Sequence, residues 1–344
     1  MLLCGGFMME RMKRVSIKDI ALAVGVSTAT VSLVLTGKNK NGRVSKEMSE
    51  KIKKVAHEMN YQPNRLAMSL QSGRSQTIGL LVADISNPFF GALAFYVQEE
   101  MEKAGYAVII MNTDESDVQM ERMISLLRSR QVDGFIIVPT EFGEKSIAQL
   151  VDNRIPLVLI DRYYPSLQVN GVLIDNYQAA YEATRYLIDT HCERVALLIY
   201  ENSQPHMIER ERGYTNALKD AGLYDEELIK RVRYKYMDED IIGAITWLAQ
   251  KRKDMDGILF ATNTIAMTGI KQLLNLGFRI GEDVHVVCFD KSDAFDFMPV
   301  FIPYIHQPIA NMGRLASQLL IKQIEDVELG EELIHKLTAR LVKK

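Results

Sequence analysis

The sequence is short of the features that mark several large classes of protein. Three cysteines in 344 residues, Cys4, Cys192 and Cys288, are few, odd in number and far apart. They allow neither a disulfide framework nor a zinc-ligand spacing, and a reducing cytoplasm is the simplest home for such a chain. Long hydrophobic runs are missing as well. Charges interrupt each apolar stretch well before the ~18 residues that a membrane span needs, so no membrane partner is expected. The chain lacks a Gly-x-Gly-x-x-Gly loop, a Walker loop, a His-Glu-x-x-His helix and a Gly-x-Ser-x-Gly elbow. Its six histidines (57, 191, 206, 285, 306 and 335) are scattered with no metal spacing. No catalytic residue, metal or cofactor is therefore expected, and the chain is not read as an enzyme. Cys288, at the end of an apolar run, reads as packing rather than as a nucleophile. Residues 1–13 are apolar at first but have no basic residues before the apolar stretch and no room for a cleavage site; they read as a disordered leader, with Met12 as an alternative start.

What is present is an ordinary globular composition, 47% hydrophobic and 25% charged, long enough for two or three packed units. The charge is divided unevenly. Residues 11–75 hold thirteen Lys and Arg against four Asp and Glu, a net +9, so with the whole chain at −3 the remainder carries −12. A basic head on an acidic body suggests a polyanionic partner, although a solvated, Lys-rich helical face has the same composition. Periodicity inside the head is more specific. Ile17, Ile20, Ala21 and Val24 share one helical face behind a candidate N-cap, Ser16. Gly25 breaks the helix, and Ser27 can cap a second one over residues 28–35, with Val31, Val34 and Leu35 inward. A third helix begins after Ser45, with Met48, Ile52, Val55, Ala56 and Met59 inward. Three short helices with a glycine turn after the first describe a helix-turn-helix. On the outer face of the second helix, Ser27, Thr30 and Ser32 offer hydroxyls to phosphates. Thr28, Ala29 and Leu33 are placed to meet base edges, the two apolar ones favouring thymine methyls. A small helical domain that binds protein is the alternative.

Beyond residue 76, apolar runs of strand length recur at 78–82, 107–111, 134–138, 157–160, 171–174, 195–199, 257–260 and 284–289, with helical patterns such as 91–104 and 117–130 between them. That alternation predicts parallel sheets covered on both faces, with ligands bound outside the carboxyl ends of the strands. The residues at those ends are Asp84 to Phe90, Asp161-Arg162, Asn263 and Asp290. Acids and amides for hydroxyls, with aromatic faces for a ring, are what a sugar requires. Loop capping and turn formation use the same residue types.

These segments resemble a known family. Val15-Ser16-Ile17-Lys18-Asp19-Ile20-Ala21, Gly25-Val26-Ser27 and Ala29-Thr30-Val31-Ser32 are similar to the DNA-binding head of the LacI/GalR family of bacterial transcription regulators. Residues 60–70 (NYQPNRLAMSL) are similar to its hinge, and 78–90, 132–139, 156–162, the Arg210 to Tyr214 segment and 283–290 to its body. The resemblance runs from about residue 12 to 325. It implies an α/β chain: an N-terminal three-helix helix-turn-helix domain followed by two doubly wound parallel-sheet subdomains of the periplasmic-binding-protein-like type. The DNA-contacting set then comprises Ser27, Thr28, Ala29, Thr30, Ser32 and Leu33 of the head, Arg43 of the basic loop after it, and Tyr61, Asn64, Arg65, Ala67 and Leu70 of the hinge. Leu70, with Ala67 beside it, is implied as a minor-groove wedge; a plain linker with an incidental leucine is the alternative. The effector set comprises Asn87, Phe89, Phe90, Asp161, Arg210, Asn263, Asp290 and Gln307, with Arg210 assigned by the resemblance. The sequence departs from common family patterns at Leu33, Gln204, His206, Thr264 and Cys288, and in a longer loop at residues 37–43.

The resulting expectation divides the chain into a leader (1–13), a helix-turn-helix domain (14–60), a hinge (61–76) and an effector and dimerisation domain (77–344). The last is divided again, into 77–174 with 308–325 and 175–307 with 326–344. A homodimer would bind a pseudo-palindromic operator on double-stranded DNA and repress transcription under control of a small ligand, by preference a sugar or sugar derivative. A solute-binding protein without DNA binding, or a regulator answering to a nucleobase or phosphoprotein corepressor, are the other readings.

Overall fold

A computed structural model describes residues 15–36, 39, 42–61, 73–327 and 330–344. The leader (1–13) and the hinge residues Asn64, Arg65, Ala67 and Leu70 lie outside the described residues. The chain divides into two units between Ser75 and Gln76, and each is described by itself.

The first unit holds α1 (Ile17–Val24), α2 (Thr28–Leu35) and α3 (Lys46–Glu58). Ser16 and Asp19 form a reciprocal capping box at α1. Gly25 ends the helix at φ +80°, a left-handed conformation costly for other residues, and its N–H bonds Ala21 O. The chain bends by 108° into α2, inside the usual range for a helix-turn-helix. Ser27 and Ser45 cap α2 and α3 through the N–H groups of Thr30 and Met48. Ile20, Val31 and Ile52, one from each helix, are fully buried at the centre of the small core. None of these helices is long and apolar enough to cross a membrane, nor is any other single described helix.

The second unit runs β1 (Thr77–Val82), α4 (Pro88–Lys103), β2 (Ala107–Asn112), α5 (Asp117–Ser129), β3 (Gly134–Ile137), α6 (Glu144–Asp152), β4 (Leu157–Ile160) and β5 (Asn170–Ile174). It continues with α7 (Asn176–Asp189), β6 (Val195–Tyr200), α8 (Pro205–Asp220), β7 (Ile229–Val232), α9 (Met237–Lys251), β8 (Gly257–Phe260), α10 (Asn263–Asn275), β9 (His285–Phe289) and β10 (Tyr304–His306). It ends with α11 (Ile309–Ile324), β11 (Ile334–Leu337) and β12 (Arg340–Val342). The strands form two six-stranded sheets, ordered β11-β5-β4-β3-β1-β2 and β12-β10-β9-β8-β6-β7. All pairings are parallel except β10 with β12. The central strands β3, β4 and β8 are buried at every position, as sheets covered on both faces require. α4 and α11 pack together on one face of the first sheet, and α7 and α8 on one face of the second. Leu80, Ile136 and Val158 share one continuous apolar core with Leu197, Leu259 and Val287, so the two halves are joined through their interior.

The structure corrects several expectations. α4 starts at Pro88 rather than Gly91, because Asn87 accepts the Phe89 N–H and proline suits the first helical turn. Residues 326–344 do not all belong to the second half. β11 extends the first sheet in parallel register with β5, Ile334 opposite Gly171 and Leu337 opposite Ile174, and only β12 joins the second sheet. The open edge of β5 needs a partner, and the two-residue link Thr338-Ala339 lets the chain step from one sheet to the other. β12 is also antiparallel, so the second sheet departs from the all-parallel expectation at its edge. Four short strands, β7, β10, β11 and β12, carry charged or polar residues and have no apolar run to announce them.

Candidate functional site

Both sheets have the order of a doubly wound fold, in which the strand sequence reverses beside β1 and β6. A crevice opens there at the carboxyl ends. A cavity of about 230 Å³ lies at this position between the two halves. All eight residues of the expected effector set line it. From the first half come Asn87, Phe89 and Phe90 after β1 and Asp161 after β4. From the second come Arg210 of α8, Asn263 after β8, Asp290 after β9 and Gln307 after β10.

Asp161 and Asp290 occupy equivalent places, each the residue after a buried strand, and both adopt left-handed backbone, at φ +68° and +64°. Aspartate tolerates that region better than most residues, and its use at two matched positions aims both carboxylates across the crevice. Burial pushes the Asp161 carboxyl above its ordinary range, opposed by Arg162 and Arg210. Burial raises Asp290 to about 7, with Arg210 pulling it down and Asp161 adding to the rise. Gln307 donates from Nε2 to both Asp290 oxygens at 3.0 Å, leaving its buried Oε1 unpartnered.

Arg210 is held from three sides. Its Nε donates to Asn176 Oδ1 at 2.8 Å, Nη1 donates to Ala261 O at 2.6 Å, and the guanidinium lies 3.9 Å from the centre of the Phe289 ring. Burial lowers its pKa, while Asp161 and Asp290 oppose the fall. Asn87 accepts from Asn263 Nδ2 at 3.2 Å and donates to the Thr264 hydroxyl at 3.3 Å, joining the halves at one side of the cavity. On the other side Gln204 donates to Pro139 O at 3.0 Å, and Ser203 donates N–H and hydroxyl to Glu141 at 2.7 Å.

The structure adds wall residues that lie outside the expected effector set. Arg162 makes a fork-to-fork pair with Glu115, at 2.7 and 2.6 Å, and its Nε lies 3.4 Å from Asp161 Oδ2. Burial alone would lower the Arg162 pKa, but Glu115 and then Asp161 hold it above the ordinary value. His206 is buried and kept neutral, first by burial and then by Arg162 and Arg210, with Nδ1 unpartnered. Tyr200, Tyr234, Met207 and Met237 also line the wall. Glu115 was findable as an acid following β2, and Arg162 as the neighbour of Asp161. His206 stood out only as a departure from the family pattern upstream of Arg210, and Tyr234 follows β7 with no distinguishing local pattern. Cys288 is fully buried in β9, where burial raises its thiol well above the usual range, and it does not line the cavity. Among the described residues no three His, Cys, Asp or Glu side chains are grouped as a metal ion would need.

In the first unit Thr28, Ala29 and Arg43 are exposed, and Thr30, Ser32 and Leu33 half-buried. The Ser27 and Thr30 hydroxyls lie 2.9 Å apart and satisfy one another, while Ser27 also accepts the Thr30 N–H. Tyr61 packs against the head's own core.

The class defined by these features is a helix-turn-helix head followed by a two-lobed small-molecule receptor. Comparison with known proteins narrows it. Residues 16–64 match the family described as bacterial regulatory proteins, lacI family, and residues 75–343 match periplasmic binding proteins and sugar binding domain of LacI family. The chain is 32% identical over 333 residues to the ribose operon repressor of Halalkalibacterium halodurans, covering 96% of this chain and 97% of that one. A transcriptional regulator CelR–cellobiose complex is 27% identical, with a TM-score of 0.71 over 96% of this chain and 99% of that one. The lac repressor dimer bound to operator and the anti-inducer ONPF shares the fold, with a TM-score of 0.82 at 20% identity over 96% and 98% of the two chains. The chain belongs to the LacI family of bacterial regulatory proteins.

Proposed function

We propose that the protein is a transcriptional repressor that binds a pseudo-palindromic DNA operator as a homodimer and is controlled by a sugar or sugar derivative held between the two halves of its body. The observation that carries the reading is the cavity at the switch points, where Asp161, Asp290, Asn87 and Asn263 supply acceptors and donors beside the Phe89 and Phe90 rings. Those groups suit hydroxyls and the flat C–H face of a sugar ring. The exposed face of α2, with Thr28 and Ala29 outermost, is the surface for base edges, and Arg43 and the hinge residues Asn64 and Arg65 add phosphate contacts. In this reading Leu70 wedges into the minor groove, so Leu70→Ala weakens operator binding and leaves dimer stability unchanged. Exposed apolar side chains on α4 and α10, Phe95, Met267 and Leu274 among them, offer surface to a second copy. No catalytic role is assigned to any residue, and the site of action is the cytoplasm, at the nucleoid when on DNA.

Closing of the halves around a ligand changes how the two hinges of a dimer are spaced, and with it DNA affinity, by a coupling of about 1–3 kcal/mol. A gel shift of genomic fragments with and without sugars tests the whole reading. Retarded fragments released by one sugar are expected; no retardation of any fragment at moderate salt contradicts it. A nucleobase acting as corepressor is the second reading, because Phe89 and Phe90 meet edge to face at 5.0 Å and form a wall for a flat ring. A thermal-shift screen of sugars against nucleobases separates the two, since a ligand at 100 times its Kd adds about 2.7 kcal/mol.

A further inference from the structure

The cavity does not stop at one compartment. A second, outer space of about 610 Å³ shares Glu115, Arg162, Tyr200, Met207 and Tyr234 as walls with the inner one. Its remaining walls come from both halves: Asp114 and Glu141 follow β2 and β3, while Glu201, Asn202 and Lys235 follow β6 and β7. The inner space is smaller than the ~300–1,000 Å³ typical of pockets for drug-sized molecules, and is suited to a single ring.

Three observations give the outer compartment its chemistry. Tyr200 and Tyr234 stand at the partition with ring centres 5.7 Å apart, and Tyr234 is 41% exposed, an aromatic face with room above it. Arg162, only 7% exposed, also stands at the partition, committed to Glu115, to Pro139 O and, through Nε at 3.4 Å, to Asp161, so it is a fixed wall between the compartments. Asp114, Glu141 and Glu201 face a single lysine, Lys235, while Glu115 and Arg162 neutralise each other. Carboxylates accept from hydroxyls and repel phosphate or carboxylate groups.

We propose that the ligand is an uncharged glycoside of two rings, one in the inner compartment and the second in the outer, with Tyr234 as its stacking platform and the rim carboxylates as acceptors for the hydroxyls of the outer ring. The proposal rests on the carbohydrate reading of the inner cavity and adds the size and charge of the ligand. An aromatic face covers the C–H surface of a sugar while the acids at the rim take its hydroxyls, a division of labour usual in small-molecule sites.

The test is calorimetric titration of the full chain with cellobiose, maltose, lactose and sucrose, with glucose, galactose and fructose, and with glucose 6-phosphate. At least one disaccharide should bind tenfold or more tighter than either of its component sugars, and glucose 6-phosphate should bind more weakly than glucose. Glu201→Ala, on the wall of the outer compartment alone, should lower the disaccharide affinity at least threefold and leave the monosaccharide affinity unchanged, whereas Tyr234→Ala, which borders both compartments, should lower both, the disaccharide more, and Tyr234→Phe should restore them. A monosaccharide that binds as tightly as every disaccharide, or a Glu201→Ala variant that weakens both sizes equally or neither, overturns the two-ring proposal and leaves the inner site standing as a sugar site. Binding of none of these sugars overturns the carbohydrate reading, and the proposal with it.

Discussion

Asp290 is the residue on which the site's response to pH turns. Its carboxyl holds a proton up to about pH 7 in the folded protein, whereas an unfolded chain releases it near pH 4. Between those values the native state binds more protons, so stability falls as pH rises from about 4 to about 7. Thermal melts of wild type and Asp290→Asn across this interval should show the variant with the shallower fall. Sugar hydroxyls donate more strongly to an ionised carboxylate, so wild-type ligand affinity should rise from pH 6 to pH 8. A flat profile would mean that Asp290 meets its ligand already ionised. Arg210→Ala, assayed by gel shift, should retain the DNA complex and lose its release by ligand; a retained response would place the effector elsewhere. The residues of this site were legible in the sequence to the extent that strand ends were legible: Asp161, Asn263 and Asp290 each directly follow or closely follow an apolar run. Glu115 and Arg162 sit at the same kind of position, yet the sequence does not show that they pair across two loops, because that contact depends on the distance between strands that are not adjacent. Tyr234 was hidden for a different reason. The strand before it, β7, carries Lys230 and Arg231 and does not look like a strand.

At the scale of elements, the packing of α7 against α8 shows how a single position can set an interhelical distance. A side chain on Gly213 would collide with the backbone of Tyr177 and Tyr181 on α7. Gly213→Ala should therefore force the helices apart and cost about 1–3 kcal/mol, read as a lower midpoint in urea unfolding. Gly243, on α9 with open space around it, is the control: Gly243→Ala should be neutral or slightly stabilising. The same contrast explains which elements could be read in advance. Head helices announce themselves by caps, and Ser16, Ser27 and Ser45 all cap as their positions suggest. Central strands announce themselves by unbroken apolar runs. Edge strands such as β11 and β12 are held by backbone pairing alone on one side and need only a few suitable residues, so Ile334–Leu337 and Arg340–Val342 left no distinguishable trace.

At the scale of the whole molecule, the charge asymmetry separates two tasks along the chain. Residues 76–344 alone should bind ligand with the affinity of the full chain and retard no DNA fragment. The full chain should lose operator affinity steeply as salt rises, with a slope of about −0.9 per phosphate contacted; a shallow slope would remove the basic head from the interface. The order in which the sheets are assembled has its own consequence. The first half begins with β1, yet its edge strand β11 and the helix α11 that covers it are made only after β6 to β10 of the second half. On the ribosome, then, the early lobe must wait with an open edge and an uncovered face until the last residues emerge. A premature stop between α11 and β11 would leave both lobes incomplete at once, one lacking β11 and the other β12, and nascent chains of this length are where chaperones should be found attached.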